Sequence, residues 1–233
     1  SLPFLYNKDI VAEALDRLIY SQSKVAGFFN AGALEELFRS LLPSLDFADM
    51  DLDLYITATA LDTNRRAVFN GRYSFRDEDN EFLTDVPVHK AVRASSAVPG
   101  MFEPVKIKGH FYIDGEVKRT LSADIGVSLG DRIIMSHTYQ PLRLGEGNGS
   151  VRDMGWVNVL KQTLNIVLYE RIVRWQQGYD TQAHNKEIIW IHPDHDDTEF
   201  FRAPEFSFRP EDQQLMIESG ERAARHALEK ALS

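Results

Sequence analysis

The run Leu52–Ala60 (LDLYITATA) is β-branched and apolar, with little alternation between its two faces. A strand of that kind is covered on both sides, so the sheet that holds it needs a packing layer above and another below. The chain supplies candidates for both. Residues 8–20 place Ile10, Val11, Ala14, Leu15, Leu18 and Ile19 on one helical stripe. Residues 31–42 repeat the pattern with Leu34, Leu37, Phe38, Leu41 and Leu42, and Pro43 ends that helix. A third helix is read over Pro87–Val98, stopped by Pro99-Gly100.

Further strands fall between these helices. Arg66–Phe69 is a short one before Asn70-Gly71, and residues 74–82 read as a charged loop. Val105–Ile107 and His110–Ile113 flank Lys108-Gly109, a turn-forming pair suited to a hairpin. Residues 121–129 predict a short helix with Gly130 as a left-handed cap, followed by a buried strand over Arg132–Ser136. Gly145–Gly149 is a flexible loop, Met154–Trp175 is the longest helix and is expected to pack into the core, the alternative being a lipid-facing lid or interfacial element, Glu187–Ile191 is the last strand, and Asp212–Leu232 is an amphipathic terminal helix. The alternation predicts an α/β fold, a three-layer α/β/α sandwich with helices on both faces of a mostly parallel or mixed central sheet. No linker-like break divides the 233 residues, so a single domain spanning 1–233 is expected. The opening Ser1-Leu2-Pro3, without an initiator Met, reads as a processed chain or a piece of a longer one.

Composition removes several chemistries. With no cysteine, the chain has no disulfide framework, thiolate zinc site, iron–sulfur cluster or cysteine nucleophile. A formal charge of −9 without a compensating basic block works against non-specific binding to nucleic acid or to an anionic membrane. No apolar stretch reaches the ~18 residues of a membrane span and no signal-peptide pattern is visible. The expectation is a cytoplasmic protein or one peripheral to a membrane.

The most specific stretch is residues 91–115, AVRASSAVPGMFEPVKIKGHFYIDG. Ala94, Ser95, Ala97, Pro99, Phe102, Pro104, Val105, Tyr112, Asp114 and Gly115 occur there in the order and at the spacing of the patatin-like phospholipases, which this sequence resembles. That family's pattern is a small-residue helix end A-S-x-A-x-P, then F-x-P-V, a hairpin, and an Asp-Gly closing the next strand. More weakly, the likeness runs from the 31–42 helix through ITATALD to the 131–136 strand.

The resemblance implies lipid acyl hydrolysis by a Ser-Asp dyad, with Asp114 as the catalytic Asp. Gly115, Pro99 and Phe102 are its motif neighbours. It implies no metal or organic cofactor, an acyl lipid substrate reached at a membrane surface, and no nucleic acid. A carboxylate partly desolvated at a strand end has a raised pKa and can take the serine proton directly. Gly115 would allow close backbone approach and an unusual φ. Outside this context, an Asp-Gly pair is a plain β-turn.

Two departures stand out. Where the family commonly has Gly or Ala after Asp-Gly, this chain has Glu116, which either raises the Asp114 pKa or faces solvent. The family's oxyanion loop and G-x-S-x-G elbow are also missing, and the resemblance places the serine upstream of Ser1. Gly126-Val127-Ser128-Leu129-Gly130 fits the letters of the elbow, but it falls at the end of a predicted helix rather than between a strand and a helix. Ser95 and Ser96 lie at a helix end, and Gly145–Gly149 follows the strand after Asp114, so neither supplies the elbow or its oxyanion loop. The family's nucleophile strand lies inside the sheet. Its place is expected to be filled by the chain's own N-terminal segment or by homodimerisation. A non-catalytic binding or scaffold module is the alternative reading.

A second cluster, His192-Pro193-Asp194-His195-Asp196-Asp197, offers metal-ligand types, but its spacing matches no ligand template. It is read as a solvated loop with no metal.

Overall fold

A computed structural model describes residues 27–29, 32–147, 149–181, 184–203 and 209–232. The helix expected over 8–20 lies outside them. The chain divides into two compact units, Ser1–Lys118 and Arg119–Ser233.

In the first unit the elements are β1 (Gly27–Phe29), α1 (Gly32–Leu41), β2 (Ile56–Ala60), β3 (Arg65–Phe69), β4 (Phe75–Arg76), β5 (Asn80–Leu83), α2 (Val88–Ser95), β6 (Gly100–Phe102), β7 (Val105–Ile107) and β8 (His110–Asp114). Six strands form one sheet in the order β4-β5-β3-β2-β8-β7. Its neighbours run antiparallel except the parallel pair β3 and β5. A second, parallel pairing joins β1 to β6. The fold is therefore α/β with a mixed sheet, the second of the two sheet types expected.

Small residues set the packing over the sheet. Ala58, Ala60 and Ala67 share a buried cluster with Ala91, Ala94 and Ala97, and Phe47, Phe69, Val86, Val88, Val105, Ile107 and Tyr112 complete it. Short side chains on both partners let α2 lie close to β2. The turn between β7 and β8 has Lys108 at φ 51° and Gly109 at φ 89°, the paired left-handed geometry whose twist matches a hairpin. On its other side α2 meets α1, where Arg93 Nη1 donates to Glu35 Oε2 at 2.6 Å and Arg39 contacts His89 at 3.2 Å.

Two boundaries differ from expectation. Leu52 is 82% exposed and the strand begins only at Ile56. The supposed loop 74–82 contains β4 and the start of β5: residues 74–79 are exposed, but Glu81 is buried and paired. Glu81, buried, accepts from Tyr112 Oη at 2.9 Å and from Arg76 Nη2 at 2.8 Å, while Asp77 Oδ1 accepts the N–H groups of Asp79 and Asn80 to close the turn.

The second unit contains α3 (Ala123–Leu129), β9 (Arg132–Ser136), α4 (Trp156–Gly178), β10 (Glu187–Ile191), α5 (Thr198–Arg202) and α6 (Pro210–Leu232). β9 and β10 pair in parallel, Arg132 opposite Glu187 through Ser136 opposite Ile191. Ala123, Ile133 and Met135 form a core with Trp175, Ile188 and Trp190 packed against it. Gly130 is extended (φ −155°, ψ 173°) rather than left-handed, so the chain leaves α3 straight into β9. That strand is buried on one face only, through Ile133 and Met135, with Ile134 58% exposed. α4 also departs from the core-packed helix expected: of its residues only Asn165 and Ile172 are buried. Among the described residues, no helix is long and apolar enough to cross a membrane.

Candidate active site

The carboxylate of Asp114 stands at the C-terminal end of β8, where the chain leaves the sheet for one turn of 3-10 helix over Gly115–Val117. Asp114 caps that turn itself: its Oδ1 accepts the Glu116 N–H at 2.9 Å. Its backbone is fixed on both sides. The Asp114 N–H donates to the Ala97 carbonyl at 3.0 Å, and the Asp114 carbonyl accepts from Thr59 Oγ1 at 2.9 Å. Thr59 Oγ1 also accepts the Lys118 N–H at 3.1 Å, so one hydroxyl spans the whole turn.

Gly115 is required by space, not by an unusual φ as first expected. A Cβ at this position would lie 2.5 Å from the Thr57 carbonyl oxygen and 2.6 Å from Thr57 Oγ1, and Gly115 is absent from the left-handed glycines. Pro99 is exposed in the turn after α2, where it stops the helix just beyond Ala97. Phe102 on β6 packs against the alanine-rich core. Pro99 and Phe102 therefore direct the path of the chain, while Ala97 is the motif residue that bonds Asp114.

Burial pushes the Asp114 carboxyl above its ordinary pKa, opposed by the Glu116 N–H. Glu116 acts on Asp114 through its backbone, and its carboxylate is not among the causes of the shift. Among the described residues no donor reaches Asp114 Oδ2. A half-buried carboxylate with one oxygen anchored and a raised proton affinity is equipped to accept a proton from a hydroxyl placed against the other oxygen.

Sequence reading missed Thr57 and Thr59. ITATA shows two hydroxyls at alternate positions of an otherwise apolar strand, a pattern that an ordinary strand shares, and Thr59 is only 5% exposed. Ser128 is a helical residue of α3, its Oγ donating to the Ile125 carbonyl at 2.7 Å, as its position predicted. Ser95 closes α2 and Ser96 caps it.

The histidine-rich segment belongs to the second unit. His192, just after β10, stacks on the His137 ring at 5.3 Å between centroids, and His195 Nε2 meets Gln140 Nε2 at 2.8 Å. Asp197 caps α5 through the Phe200 N–H and accepts from Ser219 Oγ at 2.7 Å. Among the described residues no group of three or more His, Cys, Asp or Glu is disposed to hold a metal ion.

The family model described as Patatin-like phospholipase matches residues 3–126, slightly more than half of the chain and inclusive of the Asp114 turn.

Proposed function

Because the chain belongs to the patatin-like phospholipase family, we propose that it works as a lipid acyl hydrolase in which Asp114 is the general base of a Ser-Asp dyad. The observation that carries this reading is the Asp114 turn: a carboxylate raised in pKa by burial, one oxygen held by the Glu116 N–H, and its backbone clamped by Ala97 and Thr59. The reading assigns the nucleophile to a serine outside these 233 residues, since the G-x-S-x-G match among them, Gly126–Gly130, lies in α3 and its cap.

The chemistry then follows from the site. The serine Oγ attacks the ester carbonyl carbon as its proton passes to Asp114 Oδ2. The tetrahedral oxyanion collapses, the C–O bond to the alcohol breaks, and the leaving oxygen takes the proton from Asp114. Water, losing a proton to the same carboxylate, attacks the acyl-enzyme; the acyl C–Oγ bond breaks, the serine oxygen takes the proton back from Asp114, and the fatty acid is released. The substrate is an acyl lipid, glycerophospholipid or acylglycerol, and no cofactor takes part.

A fluorophosphonate probe tests this on the protein with its native preceding segment, the adduct being mapped by mass spectrometry. Adduct on an elbow serine is expected, and Asp114→Asn should cut ester turnover by roughly 10²–10⁴-fold, the usual worth of a general base. Full turnover in Asp114→Asn would remove Asp114 from the mechanism. Absence of any adduct would leave a binding or scaffold module that keeps the fold.

A further inference from the structure

Over its first three turns α4 is built inside out. Its inward side is polar: Gln162 Nε2 donates to the Leu142 carbonyl at 2.9 Å while its Oε1 accepts the Leu142 N–H at 3.0 Å, and Lys161 Nζ reaches the Ala203 carbonyl at 3.3 Å. Asn165, 6% exposed, lies on the same side. The outward side is apolar, with Trp156 77% exposed and Val157, Leu160, Leu164, Ile166 and Val167 each between 46% and 57%. At about 100° per residue these six, with Val159, cover roughly half of the helix circumference. A helix on a protein surface normally shows the reverse. Polar side chains spent on loop backbone have fixed the rotation of α4, and its greasy stripe is left facing water.

Charge distinguishes this stripe from the rest of the molecule. The chain carries nine excess negative charges, yet α4 has no acid from Trp156 to Tyr169. Between Arg152 and Arg174 there are four cations, Arg152, Lys161, Arg171 and Arg174, against two acids, Asp153 and Glu170. Arg152 stands before the stripe and Arg171 and Arg174 after it, all three exposed. In a helix lying in the plane of the interface, Arg152, Arg171 and Arg174 flank the apolar stripe at headgroup level, where guanidinium groups meet phosphates, and tryptophan suits the same boundary. A second copy of the chain is the poorer fit: a stable dimer interface takes ~20–30 residues from each side, well beyond one helix stripe.

We propose that the outward face of α4 is a membrane-docking surface that seats on a phospholipid bilayer, Trp156, Leu160 and Leu164 entering the acyl boundary and Arg171 and Arg174 meeting lipid phosphates. α4 lies along the interface rather than across it, as no described helix is apolar enough to span. The inference goes beyond the proposed ester chemistry and is tested apart from it, because vesicle binding needs no turnover.

The experiment is co-sedimentation of the protein with sucrose-loaded vesicles, of phosphatidylcholine alone and with phosphatidylglycerol added. The wild type is expected to pellet with both, more strongly with the anionic lipid. The exposed-site pair Leu160→Glu/Leu164→Glu should lower the partition coefficient roughly tenfold or more with an unchanged circular-dichroism melt, from the lost transfer of two leucine side chains. Arg171→Glu/Arg174→Glu should abolish only the gain from phosphatidylglycerol. Brominated lipid should quench the wild type's tryptophan emission, and Trp156→Phe should remove that quenching. Wild type remaining in the supernatant with both vesicle types overturns the proposal, as does equal pelleting of the glutamate pair. Should that pair fail to fold, absence of quenching in the wild type overturns it alone. A dimer in ultracentrifugation that pellets with neither vesicle would assign the stripe to a second copy instead.

Discussion

A single carbon atom decides whether Asp114 can stand where it does. Gly115→Ala would drive its Cβ to 2.5 Å from the Thr57 carbonyl oxygen, backbone that cannot swing aside. Overpacking of this kind costs roughly 1–3 kcal/mol. Thermal melts should show that loss, together with a fall in ester turnover larger than stability alone explains. A Gly115→Ala protein with wild-type melting would show that the turn has slack that the contact distance denies. Asp114 itself carries a stability cost. Its folded pKa is raised by burial, so its contribution to stability is present below the ordinary Asp value of about 3.9 and is lost as pH rises through the folded pKa. The isosteric Asp114→Asn, which keeps an oxygen for the Glu116 N–H, is expected to melt higher than wild type at pH 7, the gap closing on acidification below ~3.9. A lower melting point for the variant at neutral pH would contradict a burdened carboxylate.

Among the elements, β2 serves the site without contributing a reacting group. Thr59 donates to the Asp114 carbonyl and accepts from the Lys118 N–H, so Thr59→Val strips partners from both ends of the turn while keeping the side-chain shape. A loss of about 1–3 kcal/mol is expected in urea melts, the cost of backbone groups left without a partner. Unchanged stability would mean that water replaces the hydroxyl at no cost. Such a residue is hard to find in a sequence because threonine is an ordinary strand former, and nothing in ITATA distinguishes a latch from a packing residue. Asp114 was legible because a motif of small residues, prolines and a hairpin surrounds it. The hairpin was legible for a local reason, the left-handed pair Lys108-Gly109. Where partners are distant the reading failed: the acids and the single arginine of 74–82 suggested a charged loop, whereas Glu81 is buried against Tyr112, 31 residues beyond it. α4 failed likewise, since periodicity counts apolar residues without saying which side the polar ones will anchor.

At the scale of the whole molecule, acid should weaken the protein through a histidine remote in sequence from the Asp-Gly motif. Burial, and the neighbouring His192, lower the His137 pKa to about 4 from 6.5. Its contribution is therefore present above pH 6.5 and lost as pH falls from there to about 4, amounting to about 3 kcal/mol in total. Denaturant titrations between neutral pH and pH 4.5 should show this slope, and His137→Phe, which keeps a ring against Tyr169 and Trp190, should remove about one proton's share of it. An identical slope in the variant would place the acid sensitivity elsewhere. The pairing of β2 with β8 also orders events in time. Ala58 lies opposite Asp114, 56 positions along the chain, whereas β2 meets β3 and β7 meets β8 across short turns. Chain entropy favours closing the short turns first, leaving the long closure for later. The Asp114 carbonyl would then reach its Thr59 latch only at the final zipping of the sheet, so a refolding chain would regain its hairpins before the Asp114 turn closed.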